Sequence, residues 1–347
     1  TDHSDNMGWV TDLKGGKPEL LADEWGKKWY GMIQEGKGNE AALEMIGLFS
    51  QGNFPKSQLY APGTSGYRHA WEETVQAAEQ YNEPGRFSAI IGYEWTAIGG
   101  FNLHRNVLFR GDADEAKKTL PFSQFDSQNP EDLWRALDEF STETGAQVLA
   151  IPHNGNLSNG RMFNVENFDG SRLKKSLAEL RAKMEPIMEV TQIKGDGEAH
   201  PFLSPDDEFA DYETWDVANL DGTELKTQDM LQYEYAREAL KTGLKLDRKL
   251  GVNPYRFGMI GSTDSHTSTS THDEDKFFGK HSGVEREKNR WEHTVITSQL
   301  DPGLAIIGWQ QAASGRAAVW AHDHPREGLH LAHLVHSIEP VPACRYC

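Results

Sequence analysis

Apolar positions along this 347-residue chain recur at two alternating spacings. Leu133, Trp134, Leu137 and Phe140 follow the three-to-four-residue period of a helix, which Asn129 caps, Pro130 opens and Gly145 closes, and the run Ala146 to Ile151 behind it is short and strand-like. The same order returns with Leu173, Leu177, Leu180 and Met184 before Ile187 to Val190, and with the stretch Leu225 to Leu250 before Phe257 to Ile260. It also appears with Trp71, Val75 and Ala78 before Phe87 to Trp95. This succession of helix and strand predicts an α/β domain with βαβ connections. The polar stretches between, residues 14–66, 110–128, 194–224 and 267–292, contain Gly and Pro and are expected as insertions over the mouth of a barrel-like domain, where they would wall a substrate site.

Composition narrows the partners. With 53 acidic against 35 basic residues the net charge is −18, which disfavours duplex nucleic acid as a partner. No run of eighteen apolar residues occurs, so no membrane span is expected, and no leader pattern opens the chain. Both cysteines, Cys344 and Cys347, lie in the last four residues, so the body of the chain has no thiol to act as a nucleophile or metal ligand. Any metal must then be held by nitrogen and oxygen. Residues 321–347 carry His322, His324, His330, His333 and His336, and that tail is expected to be out of register or disordered.

Chemistry-bearing residues fall where strands begin or end. Glu94 closes Ala89 to Tyr93, His153 follows Val148 to Pro152, and Asp264 and His266 follow Phe257 to Thr263. His104 and its neighbour Arg105 precede Val107 to Phe109, and Asp2 and His3 open the chain. Taken singly, each is more simply read as a surface or capping residue. Together they predict convergence at one face, as in barrels whose strand ends gather side chains from distant sequence. Imidazole with carboxylate suits Zn²⁺, Mn²⁺ or Fe²⁺, and a carboxylate such as Glu94 can bridge two ions and support a metal-bound hydroxide as nucleophile.

Thr1-Asp2-His3, Gly92-Tyr93-Glu94-Trp95, Pro152-His153-Asn154 and Ser262-Thr263-Asp264-Ser265-His266 resemble the successive motifs of the polymerase-and-histidinol-phosphatase (PHP) superfamily. The stretch from Asp2 to about Trp320 resembles its DUF3604 branch, with Met188 to Glu198 as a distinctive segment. The resemblance implies an α/β fold of distorted seven-stranded (β/α) TIM-like barrel type with long loop insertions, two or three metal ions and, usually, phosphoester hydrolysis. Carried over, Glu94 is the bridging carboxylate, His104 and His153 serve one ion and Asp264 its neighbour, and His3 and His266 serve a third. Asp2 matches the motif and either ligates or orients its neighbour. PHP proteins begin with a strand ending in His-x-His, which does not precede Thr1, so the chain is expected to be an N-terminally truncated fragment that binds metal more weakly than its full-length relative.

Arg105 and Lys194 are candidates to neutralise an anionic substrate. Glu189 is open to two readings, core ion pair or catalytic base, while His200, His272 and His281 are expected on lids or the surface. Trp25, Trp29 and Trp71 are expected to pack. The reading is a metal-dependent hydrolase of a small anionic phosphoester, with Asp264 or His266 assisting proton transfer. The alternatives are carboxylester or amide hydrolysis, and a non-catalytic binding module.

Overall fold

The helix expected behind Asn129 forms where its local chemistry places it. The Asn129 side chain accepts the Glu131 N–H at 3.0 Å, Pro130 occupies the first turn, and Gly145 ends the helix in the left-handed region at φ 76°. A computed structural model describes residues 1–97, 101–192, 194–220, 222–262, 264 and 266. In chain order the first part holds β1 (Asp2–His3), α1 (Trp9–Lys14), α2 (Glu24–Gln34), α3 (Gly38–Ser50), α4 (Ser65–Tyr81), β2 (Gly92–Trp95) and β3 (Arg105–Phe109). There follow α5 (Ala113–Ala116), α6 (Pro130–Thr144), β4 (Val148–Pro152), α7 (Lys175–Met184), β5 (Ile187–Gln192), β6 (Gly195–Asp196), α8 (Gln228–Leu231), α9 (Ala236–Leu250) and β7 (Gly258–Gly261).

These strands make two small sheets, ordered β1-β2-β3-β4 and β6-β5-β7, and β4 lies beside β5. β1 runs parallel to β2 and β5 parallel to β7, as the βαβ reading requires. β3, however, is antiparallel to both β2 and β4. Only residues 96–104 join β2 to β3, too few for a crossover helix, and a link that short reverses the chain. β2 and β3 also approach closely: a Cβ at Gly92 would stand 2.6 Å from the Val107 carbonyl oxygen.

The core is continuous and strongly aromatic. Trp71, Tyr93 and Phe109 meet with ring centroids 5.8–6.2 Å apart, sealing α4 against β2 and β3. Residues 14–66 differ from the loop expected there. They form α2 and α3, and Trp29 stacks on Phe54 at 5.5 Å and meets Trp9 edge-on at 5.6 Å, so this stretch is folded and shares the core. Trp29 and Trp71 are buried as expected, whereas Trp25 sits at the surface against Trp29. Among the described residues no helix is long and apolar enough to cross a membrane. The stretch 267–292, with His272 and His281, and the tail 321–347 lie outside the described residues.

Candidate metal centre

The centre is assembled by strand register. β1 pairs with β2 so that His3 lies opposite Glu94 and Asp2 opposite Tyr93. Successive strand residues face opposite sides, which turns His3 toward Glu94 and leaves Asp2 exposed. Because β3 runs against β2 and β4, its first residue, Arg105, pairs with Trp95 and Pro152 at the far ends of both neighbours. His104, one step earlier, therefore arrives beside Glu94 and His153, and its carbonyl accepts the His153 N–H at 3.3 Å. The reversal that departs from a parallel sheet is what brings these three side chains together.

Glu94 is their hub. It is buried, and one of its oxygens, Oε1, accepts from His104 Nδ1 at 2.9 Å and from His153 Nε2 at 3.0 Å, with His3 Nδ1 at 3.6 Å. Burial by itself would raise the Glu94 carboxyl. The charges of His3 and His153 and the two imidazole hydrogen bonds hold it well below the usual carboxylate range instead. Burial pushes His104 down to about 4 against the pull of Glu94, so its ring is neutral near pH 7. An anionic carboxylate beside neutral imidazole is the protonation pattern that a cation needs.

The far nitrogens, His104 Nε2 and His153 Nδ1, are buried with no hydrogen-bond partner among the described residues. A ring with one nitrogen on a carboxylate and the other unused is suited to a further partner. Among the described residues, two groups each gather ligand atoms within 4.8 Å of one another: His3, Glu94 and His104, and Glu94, His153 and Asp264. This grouping differs from the one that the resemblance implies, which set His104 and His153 on one ion. The rings of His104 and His153 meet edge to face, each reaching Glu94 from its own side, and each joins a different outer residue.

His3 is held by the Thr96 hydroxyl, 2.6 Å from its Nδ1, and its Nε2 lies 3.4 Å from His266 Nε2. The proposed third-ion pair, His3 and His266, is thus brought together. His266 Nδ1 is 3.0 Å from the Asp264 carbonyl oxygen, and Asp264 itself is left-handed at φ 49°, a conformation that aspartate tolerates better than most residues. Asp2 joins neither group. Lys194 is buried with its ammonium on the Asp264 carboxylate, so it does reach the centre.

Arg105 does not reach the centre. The pleat turns it away from His104, and its guanidinium is buried, with Nε on Glu185 Oε1 at 2.8 Å and Nη1 on the Leu103 carbonyl oxygen at 2.8 Å. Arg181 Nε takes the other Glu185 oxygen at 3.0 Å, and Trp134 Nε1 donates to Oε1 at 2.8 Å. Arg105 is therefore a core ion-pair residue, and its expected contact with substrate is withdrawn. His200 also departs from the surface reading: it is buried, bonds Asp216 through Nε2 at 2.8 Å and packs on Tyr235.

Sequence reasoning missed Thr96 and Asp5. Thr96 is two residues beyond Glu94, where strand alternation returns a side chain to the same face, and that spacing was the available signal. Asp5 accepts the Gln124 N–H at 3.1 Å, and burial pushes its carboxyl up to about 7. Nothing in the local sequence foretells that contact with residue 124.

A family model described as "Protein of unknown function (DUF3604)" matches residues 1–334. No curated protein and no solved structure matches the chain.

Proposed function

The chain belongs to the DUF3604 family, and from that premise we propose that it is a metal-dependent hydrolase, phosphoesterase-like, acting on a small anionic substrate. The observation that carries this reading is Glu94: one buried carboxylate is common to two groups of potential ligands and receives both His104 and His153. The donor set is nitrogen and oxygen only, which suits Zn, Mn or Fe ions, two or three in number. His3, Glu94 and His104 would hold one, Glu94, His153 and Asp264 a second, and His266 beside His3 would extend the set. Such ions, when bound, activate water near neutral pH and polarise a phosphoryl or carbonyl oxygen. We read the two sheets, with β4 beside β5, as parts of a distorted barrel of the PHP type.

The chain's own groups divide the remaining work. Glu94 supplies the shared negative charge and fixes the two imidazoles from one point. Thr96 sets the ring of His3. Lys194 places a buried cation beside Asp264, where it offsets the charge of an arriving phosphate or carboxylate. Where it does not serve as a ligand, His266, bonded to the Asp264 backbone and facing His3, would exchange a proton with a leaving group.

The test is to load the purified chain with Mn²⁺ or Zn²⁺, measure metal content, and assay phosphomonoester, phosphodiester, carboxylester and amide substrates. The expected outcome is at least two ions per chain and turnover confined to the phosphoesters. Turnover of the amide or carboxylester instead would move the chemistry to carbon. Bound metal with no turnover of any class would favour a binding module, and absence of tight metal binding would remove the proposal.

A further inference from the structure

Glu189 lies on β5, next to the strand that delivers His153, and it is buried at 4% exposure. Its place in the strand is irregular. Glu189 pairs with Ile260 and Thr191 with the very next residue, Gly261, so Val190 is the extra residue of a β-bulge. Met188 and Glu189 precede the bulge in regular register and face opposite sides, yet both are buried, so β5 is covered on both faces here. Glu189 Oε1 is buried with no hydrogen-bond partner among the described residues. Burial raises its carboxyl, and the charges of His153 and then Lys194, together with the Gln192 side chain, pull it back, with Glu94 opposing them; Gln192 Nε2, itself unpartnered among the described residues, is a competing donor.

His153 presents the complementary deficit. Its Nε2 is committed to Glu94, which directs Nδ1 away from the hub, and Nδ1 is buried without a partner among the described residues. A neutral imidazole has one lone pair and one N–H. If Nε2 gives its lone pair to a cation shared with Glu94, the ring proton must sit on Nδ1, and a buried N–H there requires an acceptor. On the adjacent strand a buried carboxylate oxygen also lacks its donor.

We infer that Glu189 is a positioning residue of the metal centre, accepting the His153 Nδ1–H directly or through one water and thereby fixing His153 as an Nε2 ligand. This rests on the metal-centre reading above. It assigns Glu189 neither to the ligand groups, which do not include it, nor to a core ion pair. Carboxylates in this place raise the basicity of the ligating nitrogen and lock the ring, and losing one typically weakens metal binding about 10–100-fold. The side-chain oxygen of Asn154, next to His153, is a competing acceptor, since it too is buried without a partner.

Mn²⁺ titration by calorimetry on the full chain tests this, with wild type, Glu189→Gln, Glu189→Asp and Asn154→Ala compared at one pH. Wild-type binding must be present first, and its absence would sink the metal-centre reading rather than this inference. Given wild-type binding, Glu189→Gln is expected to weaken one site about 10–100-fold, with Glu189→Asp recovering part of the loss and Asn154→Ala leaving that site within about twofold. Unchanged affinity in Glu189→Gln, or the loss appearing in Asn154→Ala alone, would overturn the assignment. Nitrogen-15 correlation spectra of the Zn²⁺-loaded wild type supply a readout independent of any variant's folding. The His153 ring should carry its proton on Nδ1, and a proton on Nε2 would overturn it equally.

Discussion

His104 and Arg105 are neighbours in the chain, yet the pleat at the entry to β3 sends them into two buried clusters built on opposite rules. Arg105, Glu185 and Arg181 are mutually paired: both carboxylate oxygens are engaged, and the guanidiniums bond backbone carbonyls and the Tyr255 hydroxyl as well. Glu94, His104 and His153 are paired around one oxygen, and each ring keeps a buried nitrogen with nothing to bond among the described residues. The difference separates structure from function. A buried polar group whose bonds are complete serves the fold it sits in, whereas one left incomplete is a candidate for a further partner, an ion or, as inferred for His153, a neighbouring side chain.

The comparison is broken most directly at Glu94. Glu94→Gln keeps the shape but removes the charge common to both ligand groups, so metal binding and turnover should each fall by roughly a hundredfold or more while the circular dichroism stays native. Calorimetric titration with Mn²⁺ alongside the phosphoester assay measures both, and wild-type affinity in this variant would show that the cluster is structural like its neighbour. Glu185→Ala should do the reverse. It strands two buried arginines, and a loss of roughly 3–5 kcal/mol in denaturant unfolding is expected, with metal affinity unchanged in the fraction that remains folded.

Asp196 sharpens the comparison, because it belongs to neither cluster and its carboxylate accepts the N–H groups of Glu198 and Ala199. Burial pushes its carboxyl from 3.8 up to about 7, against those hydrogen bonds. The folded state thus holds a proton that the unfolded state has released between these values. This contribution to stability is full below pH 3.8 and is lost as pH rises through about 7. Asp196→Asn should therefore stabilise the protein by on the order of 1–3 kcal/mol at pH 8 and change little at pH 4. Thermal melts at the two pH values decide it, and equal shifts at both would refute the cause.

The smallest effect is expected at the edge of the metal centre. Thr96→Val removes the hydroxyl that holds His3, which should cost about 0.5–1.5 kcal/mol and weaken the ion bound with His3 more than the ion bound with His153. Site-resolved histidine shifts during Zn²⁺ titration would separate the two, and equal weakening at both would make His3 part of a single site.

Much of the centre was legible before folding. Glu94, His104 and His153 stand at the boundaries of short apolar runs, and polar residues at such places are informative because a strand must bury its neighbours. The caps of α6 were legible for a simpler reason: Asn129, Pro130 and Gly145 act on backbone within a few residues of themselves. Glycine and proline in residues 14–66 masked the apolar run Ala41 to Phe49, and Trp9, Trp29 and Phe54 are far apart in sequence but adjacent in the core. Arg105 was misassigned because sequence shows that it adjoins a candidate ligand but not which way it faces. Glu185, which claims it, drew no notice at all.

The sequence by itself determined which residues could do chemistry and roughly where strands and helices begin, since those properties depend on side-chain type and short-range backbone preference. Tertiary structure alone decided that β3 runs backward between its neighbours, that His104 groups with His3 and His153 with Asp264, and that Glu189 is buried beside a bulge. Strand direction, register and bulges are set by pairing between segments that are distant along the chain. A one-residue change in any of them moves a side chain from the candidate centre to the opposite face.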